Sequence, residues 1–239
     1  MATIHAPLLP ELPQRPRRGA IWVAAAGVII ALGIALICEP YSRENPRRLN
    51  IAYRVDADRA ARHWTIGAGQ ALPPSIQRAA AWKRLSDPLT GAEQFVADAN
   101  GPALPMPSLA VVSEVPEEKG RRVTLAVRPA RGGARVNVAL RAGERIESMH
   151  VNGVDLGRPA PGARRWSEPG VVRIALRFAG ESELRIDLVV RDREPIDGDL
   201  EELSFGLPPE GAFLQRARPA WAVPSQNGDT TDVTRSIRI

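Results

Sequence analysis

Few residues of this 239-residue chain have the types and spacing that catalysis requires. The sequence contains no G-x-S-x-G elbow, no P-loop, no H-E-x-x-H pair and no dinucleotide-binding fingerprint. Its histidines, His5, His63 and His150, lie far apart. A serine triad would need one of them, but His63 and His150 fall in predicted strands, where a lone histidine is usually a hydrogen-bonded structural residue. His5 is interpreted as a solvated surface residue.

Metal chemistry finds equally little support. The single cysteine, Cys38, excludes an intrachain disulfide and a cysteine-built zinc or iron–sulfur site. His63, His150, Asp56 and Asp58 are residue types that bind metals, but they show no ligand spacing. We therefore predict no catalytic residue, no cofactor-binding residue and no metal ligand in this chain.

One acidic stretch, Asp192–Glu202, is faintly similar to a calcium-binding loop. Asp197, Asp199 and Glu201 occupy alternate positions beside Gly198. The spacing differs from the EF-hand order and lacks the closing bidentate glutamate. We predict a solvated acidic loop.

Three of the five tryptophans, Trp82, Trp166 and Trp221, lie in or near predicted loops. Exposed rings there could stack on sugar faces, as in carbohydrate-binding sandwiches. Core filling and loop anchoring are the commoner uses of tryptophan in a chain with so few other rings.

The basic residues do not form a nucleic-acid footprint. The formal charge is +5, but residues 1–48 contain six arginines against three glutamates, and the remaining 191 residues are almost neutral. A phosphate-binding surface would gather arginines on one face with aromatic residues between them. We predict no nucleic-acid partner.

The longest apolar segment is Ala20–Ile37, eighteen residues without a charge. A helix of this length spans about 27 Å, close to the roughly 30 Å of a hydrocarbon core. A buried core helix would show a polar stripe, a cleaved signal peptide would show small residues before the cut, and Ile37 is too bulky for lipidation of Cys38. We predict a transmembrane helix over 20–38, after a disordered tail over 1–19 and before a linker over 39–48.

The orientation follows from the flanking arginines. Three precede the helix in a short tail and three follow it among acidic residues: Arg15, Arg17, Arg18, Arg43, Arg47 and Arg48. The first three lie closer to the apolar segment, so we predict a cytoplasmic N-terminus and a periplasmic or extracellular C-terminal part. Trp22 and Tyr41 fit the two membrane interfaces.

Residues 49–239 show short alternating segments separated by turn residues, which predicts an antiparallel β-sandwich of about eight or nine strands. We expect a hairpin between Leu49–Val55 and Arg62–Ile66, and another at Asn152-Gly153, because this dipeptide suits a type I′ turn. The terminal segment Thr231–Ile239 also alternates and could close a sheet.

Two further strand pairs and one helix are predicted in the same region. Val123–Val127 should pair with Val136–Leu140 across Gly132-Gly133. Val171–Phe178 should pair with Glu183–Val190. A short helix over Ser75–Leu85 could be capped by the Ser75 side chain.

Two groups of residues resemble one family. After the apolar helix come Pro40-Tyr41-Ser42, Asn45-Pro46, Leu49-Asn50-Ile51, Tyr53, Asp56-Ala57-Asp58 and Trp64; near the end come Pro219, Ala222-Val223-Pro224-Ser225-Gln226, Gly228-Asp229-Thr230-Thr231 and Arg235. Together they resemble the last membrane helix and exported β domain of multi-pass zinc metallopeptidases of the vacuolar membrane protease and endoplasmic reticulum metallopeptidase type. The resemblance covers about residue 34 to the C-terminus.

The family's catalytic domain and its other membrane helices have no counterpart in this sequence. No zinc ligand can therefore be carried over, and what remains looks like an accessory domain from a truncated or split gene, or an independent descendant.

Two functions are compatible with these sequence features. The first is a noncatalytic accessory or interaction domain, anchored in the bilayer through residues 20–38, that docks on a membrane-embedded zinc peptidase subunit. The second is a single-pass envelope protein whose sandwich binds glycan or peptide ligands. An enzyme is the third choice, and we expect no enzymatic activity of this chain alone.

Overall fold

The computed structural model describes residues 18–37, 41–86, 91–157, 170–178, 182–225 and 227–239, and it is mainly β, as predicted. The helices are α1 (Arg18–Ile37), α2 (Pro74–Ala79) and α3 (Ala212–Ala217), with short 3₁₀ turns at Gly143–Arg145 and Pro209–Gly211. The strands are β1 (Arg47–Arg48), β2 (Ala52–Asp56), β3 (Ala61–Gly67), β4 (Lys83–Ser86), β5 (Glu93–Asp98), β6 (Ser108–Glu117), β7 (Gly120–Arg128), β8 (Arg135–Leu140), β9 (Ile146–Val151), β10 (Val154–Gly157), β11 (Val172–Leu176), β12 (Leu184–Val190), β13 (Asp197–Phe205), β14 (Ala222–Val223) and β15 (Thr230–Arg238).

The strands form three sheets. An eight-stranded sheet has the order β11-β8-β13-β15-β2-β3-β5-β4, and a five-stranded sheet has the order β10-β9-β12-β7-β6. The third sheet is the parallel pair of β1 and β14. β15 also runs parallel to β2, so the large sheet is mixed and not purely antiparallel.

Two predicted hairpins are confirmed. β2 pairs with β3 in antiparallel register. β9 and β10 are joined by Asn152 and Gly153, with φ of 49° and 79°. Positive φ at both central residues is what a type I′ turn requires, so this local prediction depended only on turn chemistry.

The other two predicted pairs are wrong. β7 belongs to the five-stranded sheet and pairs with β12, whereas β8 lies in the large sheet and pairs with β11 and β13. The chain therefore crosses from one sheet to the other at Gly132-Gly133. Likewise β11 and β12 lie in different sheets. Alternation tells which face of a strand is buried, but it does not identify the neighbouring strand.

The predicted helix over 75–85 is shorter than expected and lacks its expected cap. It ends at Ala79, and Lys83–Ser86 forms the edge strand β4. Pro73 occupies the N-cap position and Pro74 the first turn, and no side chain caps the helix. Proline is well suited to the first helical turn because its missing N–H would have no partner there. Ile76 is buried.

The buried residues form two clusters. The larger contains the inward-facing residues of both main sheets, including Leu125, Leu188, Val138 and Leu200. The smaller lies where α2 and α3 cover one end of the large sheet, and its centre includes Tyr53 and a neighbouring tryptophan whose ring centroid is 4.8 Å away.

The segment predicted as a linker, 39–48, contains part of the fold. β1 pairs with β14, and the N–H groups of Arg47 and Leu49 donate to the carbonyls of Trp221 and Val223 over 2.8 and 2.9 Å. The body is therefore joined by hydrogen bonds to the chain soon after α1 ends.

α1 itself is helical over Arg18–Ile37, and its side chains are described from residue 22 to residue 33. Across the described residues, no helix combines the length and apolarity that a membrane crossing needs, so that observation does not support the predicted span at 20–38. The large apolar side chains described on this helix are exposed, among them Trp22 by 75%, Val28 by 59% and Ile29 by 68%.

Candidate functional site

The most distinctive surface lies where the chain enters the body after α1. The ring of Tyr41 stacks on that of Trp221, with centroids 6.0 Å apart and planes inclined by 13°. Gln70 donates a hydrogen bond from Nε2 to the Tyr41 hydroxyl. Arg43 follows Tyr41 by two residues, Arg48 lies on β1 beside the strand that follows Trp221, and both side chains are exposed. We call the four residues Tyr41, Arg43, Arg48 and Trp221 the Tyr41–Trp221 patch.

A cavity of about 220 Å³ lies at the same end of the body, lined in part by Arg47, Arg48, Asn50 and Ser225. Asn50 and Ser225 are joined by two hydrogen bonds in the cavity wall. The Asn50 amide donates to the Ser225 hydroxyl, and the Ser225 N–H donates to Asn50 Oδ1, each over 2.6 Å. Arg47 is buried and donates from Nη1 to the carbonyl of Ala71. Arg48 is therefore the arginine that this cavity presents to solvent.

A second, larger groove of about 510 Å³ contains one of the three tryptophans singled out from sequence. Trp82 lines it with Leu72, Phe95 and Arg84. The indole Nε1–H donates to the carbonyl of Ile76 over 2.9 Å, which fixes the ring. Trp221 belongs to the Tyr41–Trp221 patch, and Trp166 lies outside the described residues.

The predicted structural histidines are not brought together. His63 lies on β3 of the large sheet and His150 on β9 of the five-stranded sheet. His63 Nδ1 is 3.5 Å from Asp98 Oδ1 but makes no hydrogen bond with the described residues, and His150 Nε2 is 3.7 Å from Asp155 Oδ1. Each histidine thus faces one carboxylate on a neighbouring strand.

Asp56 and Asp58 serve the turn between β2 and β3 and the end of β15. Asp56 Oδ1 accepts the N–H groups of Asp58 and Arg59, both over 3.1 Å. Asp58 Oδ2 accepts the Ser236 N–H over 2.7 Å, and hydrogen bonding with Ser236 holds the pKa of Asp58 below its usual value. Within the described ranges no group of three or more histidine, cysteine or acidic residues could hold a metal ion.

The predicted acidic loop is wrong over most of its length, because β13 begins at Asp197. Asp199 Oδ2 accepts from Arg141 over 2.6 Å, and Glu201 Oε2 accepts from the Asn137 amide over 2.6 Å. Both partners are on β8 or its end. Residues at alternate positions of a strand point to one face, so these acids pair with the adjacent strand instead of converging on an ion.

The structure also shows three buried acids that sequence analysis missed. Glu202 is fully buried, Asp229 is 6% exposed and Asp232 is 8% exposed. Asp229 Oδ1 accepts the Ile51 N–H over 2.9 Å and an Arg218 guanidinium N–H over 2.5 Å. Asp229 lies in the Gly228–Thr231 segment, but Glu202 sits in an ordinary alternating strand and offers no sequence signal.

Asp232 is the third of these buried acids, and its pKa is raised. Burial, reinforced by the nearby negative charge of Glu201, raises the pKa of Asp232 to about 6, although Arg54 opposes the shift. Arg54 Nε lies 3.7 Å from Asp232 Oδ2. Asp232 lies on β15 and lines neither the cavity beside Arg48 nor the groove at Trp82.

The two segments that carry the family resemblance lie side by side. β1 and β2 pair with β14 and β15 in parallel. Asn50 and Ile51 are hydrogen-bonded to Ser225 and Asp229, and Tyr53 is the register partner of Thr231. Comparison with known protein families, curated proteins and solved structures finds no match in any of the three.

Proposed function

We propose that this chain is a membrane-anchored, noncatalytic interaction domain, in which α1 lies in a bilayer and holds a β-sandwich body at the membrane surface. The observation that carries the proposal is the exposure of α1. Residues 19–37 contain no charged side chain, and the described apolar side chains from Trp22 to Leu32 are mostly more than half exposed. Apolar area left in water costs about 25 cal/mol per Å², so such a helix favours lipid or an apolar partner.

The exposed arginines after α1 support the proposed orientation in the membrane. Of the three arginines that follow α1, Arg47 is buried and bonded to the body, which leaves Arg43 and Arg48 as exposed positive charges on that side. Arg15, Arg17 and Arg18 lie at the other end of the apolar segment. This difference favours a cytoplasmic N-terminus and a periplasmic or extracellular body.

The noncatalytic assignment is supported by the local partners of the polar side chains. Within the described residues, the two histidines and the acids singled out from sequence each lie in a local pair or turn, and the buried acids Glu202 and Asp229 accept backbone N–H groups; His5 lies outside those residues. Catalytic sites bring several such groups together in one cleft. A docking partner of the zinc-peptidase type is supported by the family resemblance, whose two segments form one contiguous part of the body.

Membrane anchoring is tested on the full chain with a matched pair of variants. Val28 on α1 and Val154 on β10 are both exposed valines, by 59% and 63%. An aspartate near the centre of a membrane helix costs about 2.5–3.5 kcal/mol. Val28→Asp combined with Ile29→Asp should therefore release the chain from membranes washed at alkaline pH, whereas Val154→Asp should leave it membrane-bound.

Recovery of the unaltered chain in the wash would refute the anchor. The interaction role is tested by purifying the tagged full chain from detergent-solubilised membranes and assaying the eluate for chelator-sensitive aminopeptidase activity. We expect activity to accompany the chain only when a peptidase subunit co-purifies. Turnover by the chain alone would refute the noncatalytic assignment.

A second candidate function is favoured by the groove at Trp82. Its fixed indole, the neighbouring Phe95 and the guanidinium of Arg84 are suited to a sugar ring or a peptide side chain. A glycan array probed with the full chain and with Trp82→Ala tests this function. Loss of a binding signal in the variant would favour it over the docking role.

A further inference from the structure

The spacer between α1 and the folded body is very short. α1 ends at Ile37, and Tyr41 is already stacked on Trp221, so three residues separate the helix from the body. Four steps of chain reach at most about 14 Å even when fully extended. The headgroup layer on each side of a bilayer is roughly 5–7 Å thick. If α1 lies in the bilayer, Tyr41 cannot be held far above the headgroups.

The surface that this short spacer holds near the membrane has the composition of a membrane interface. Tyr41 and Trp221 are half-buried rings, and amphipathic rings of this kind favour the headgroup level. Arg43 and Arg48 are exposed. Within the described segment 41–48 the acid is Glu44, whose carboxylate accepts from the Ser42 hydroxyl over 2.8 Å, so the exposed charges of Arg43, Arg48 and Glu44 sum to a positive value.

The patch is rigidly tied to the body. The Arg47 N–H donates to the Trp221 carbonyl, and the Leu49 N–H donates to the Val223 carbonyl, through the β1–β14 pair. Arg48 follows Arg47 on the same strand and lines the cavity of about 220 Å³ with Asn50 and Ser225. The guanidinium and hydroxyl groups at this cavity are suited to a phosphodiester oxygen.

We infer that the Tyr41–Trp221 patch is a docking surface for anionic lipid headgroups, with Arg43 and Arg48 as the charged contacts and the cavity beside Arg48 as a seat for one headgroup phosphate. This inference rests on the proposed function, because the spacer brings the patch to the membrane only if α1 is inserted. With the patch bound to headgroups, the body lies against the lipid surface in one orientation. Each arginine near an anionic surface should strengthen this contact about fivefold.

The test uses the full chain in vesicles, with Cys38→Ser to remove the native thiol. A fluorophore is placed at Asn45→Cys, an exposed position within the segment of the patch, or at Lys119→Cys, an exposed control position in the turn between β6 and β7. The vesicles contain phosphatidylcholine alone or with phosphatidylglycerol, and a nitroxide on the lipid headgroup quenches nearby fluorophores. Vesicle flotation is measured in parallel.

We expect severalfold stronger quenching at position 45 than at position 119, and a further increase when phosphatidylglycerol is present. Arg43→Ala combined with Arg48→Ala should remove that increase while flotation is unchanged, because α1 is intact. Both arginines are exposed, and an unchanged circular dichroism spectrum verifies the fold.

The possible failures are distinguishable. A chain that does not float refutes the anchor and the docking surface together. A chain that floats but is quenched equally at positions 45 and 119 refutes the docking surface and leaves the anchor standing. Quenching at position 45 that responds neither to phosphatidylglycerol nor to the two arginine variants refutes the recognition of anionic headgroups.

Discussion

Replacing Glu202 with glutamine should destabilise the crossing between the two main sheets. The Glu202 carboxylate is fully buried and accepts three backbone N–H groups from the β7–β8 connection. Ala130 donates to Oε2 over 2.8 Å, and Arg131 and Gly133 donate to Oε1 over 3.0 Å each. Glutamine preserves the shape but replaces one oxygen with an amide donor. With Oε1 kept in place, that donor faces the N–H of Ala130.

The expected cost follows from these three bonds. An N–H left opposite another donor costs about 1–3 kcal/mol. The two remaining bonds change from a charged to a neutral acceptor, which about halves their strength and costs roughly 0.5–1 kcal/mol each. Removing a buried charge returns part of its desolvation free energy. We therefore expect Glu202→Gln to lower the free energy of unfolding by about 2–4 kcal/mol.

The assay is urea unfolding of the full chain in detergent, followed by tryptophan fluorescence, together with hydrogen exchange of the amides at 130, 131 and 133. Glu201→Gln is the matched control. Glu201 is half-buried on the opposite face of β13 and accepts one bond, from the Asn137 amide over 2.6 Å. Because glutamine can still accept that bond, the control should lose less than about 1 kcal/mol.

Equal unfolding free energies for Glu202→Gln and Glu201→Gln would refute this reasoning. So would unchanged exchange rates at the three amides in Glu202→Gln, since protection there is attributed to this carboxylate. A loss of stability without faster local exchange would mean that the effect arises from the buried charge and not from the crossing.

Three further predictions use the same unfolding measurement. Gly133→Ala should cost about 1–3 kcal/mol, because a Cβ there would lie 2.5 Å from Cγ and Oε1 of Glu202; a neutral result would contradict the close approach. Arg218→Met should cost about 3–5 kcal/mol, because it leaves Asp229 buried without its ion-pair partner, and adding Asp229→Asn should recover part of that loss; a double variant worse than the single one would exclude this explanation. Burial raises the pKa of Asp232 to about 6, so the protonated carboxyl favours the folded state. This contribution to the free energy of unfolding is complete below the unfolded pKa and is lost as pH rises through about 6. Asp232→Asn should therefore be nearly neutral at about pH 4 and stabilising by up to roughly 3 kcal/mol at about pH 7.5, and a difference that does not grow with pH would refute the assignment.

Local elements were predictable where a local interaction defines them. The helix at α1 follows from an uninterrupted apolar segment, and the turn at Asn152-Gly153 follows from the ability of these residues to adopt positive φ. The β2–β3 hairpin joins strands separated by a few residues, and short connections favour pairing of neighbours. In each case the interacting residues are close in the chain.

The strand partners beyond these hairpins were not predictable in the same way. β7 and β8 are adjacent in sequence, and apolar and polar residues alternate in both. They nevertheless belong to different sheets, and their apolar faces pack into one shared core between those sheets. A hairpin and a crossing between sheets produce the same alternation. The choice depends on which arrangement buries both faces, and that involves strands far away in the chain.

The candidate surface shows the same division. From sequence, Tyr41 is predicted to lie at a membrane interface, the arginines after α1 enter only the prediction of orientation, and Trp221 is one of three tryptophans in or near predicted loops. Their contact joins residues 180 positions apart and is held by β1 and β14, a pair too short to be detected by alternation.

The amino-acid sequence by itself determined an uncharged helix near the start, a β-rich remainder and the positions of its tightest turns, because these depend on residues within a few positions of one another. Only the tertiary structure decided that residues 47–48 belong to the body, that Asp197–Phe205 is a strand, and that Glu202 is buried beneath a loop it binds. Those outcomes depend on long-range burial, since a carboxylate in an alternating strand is buried or solvated according to the backbone N–H groups that the rest of the fold brings to it.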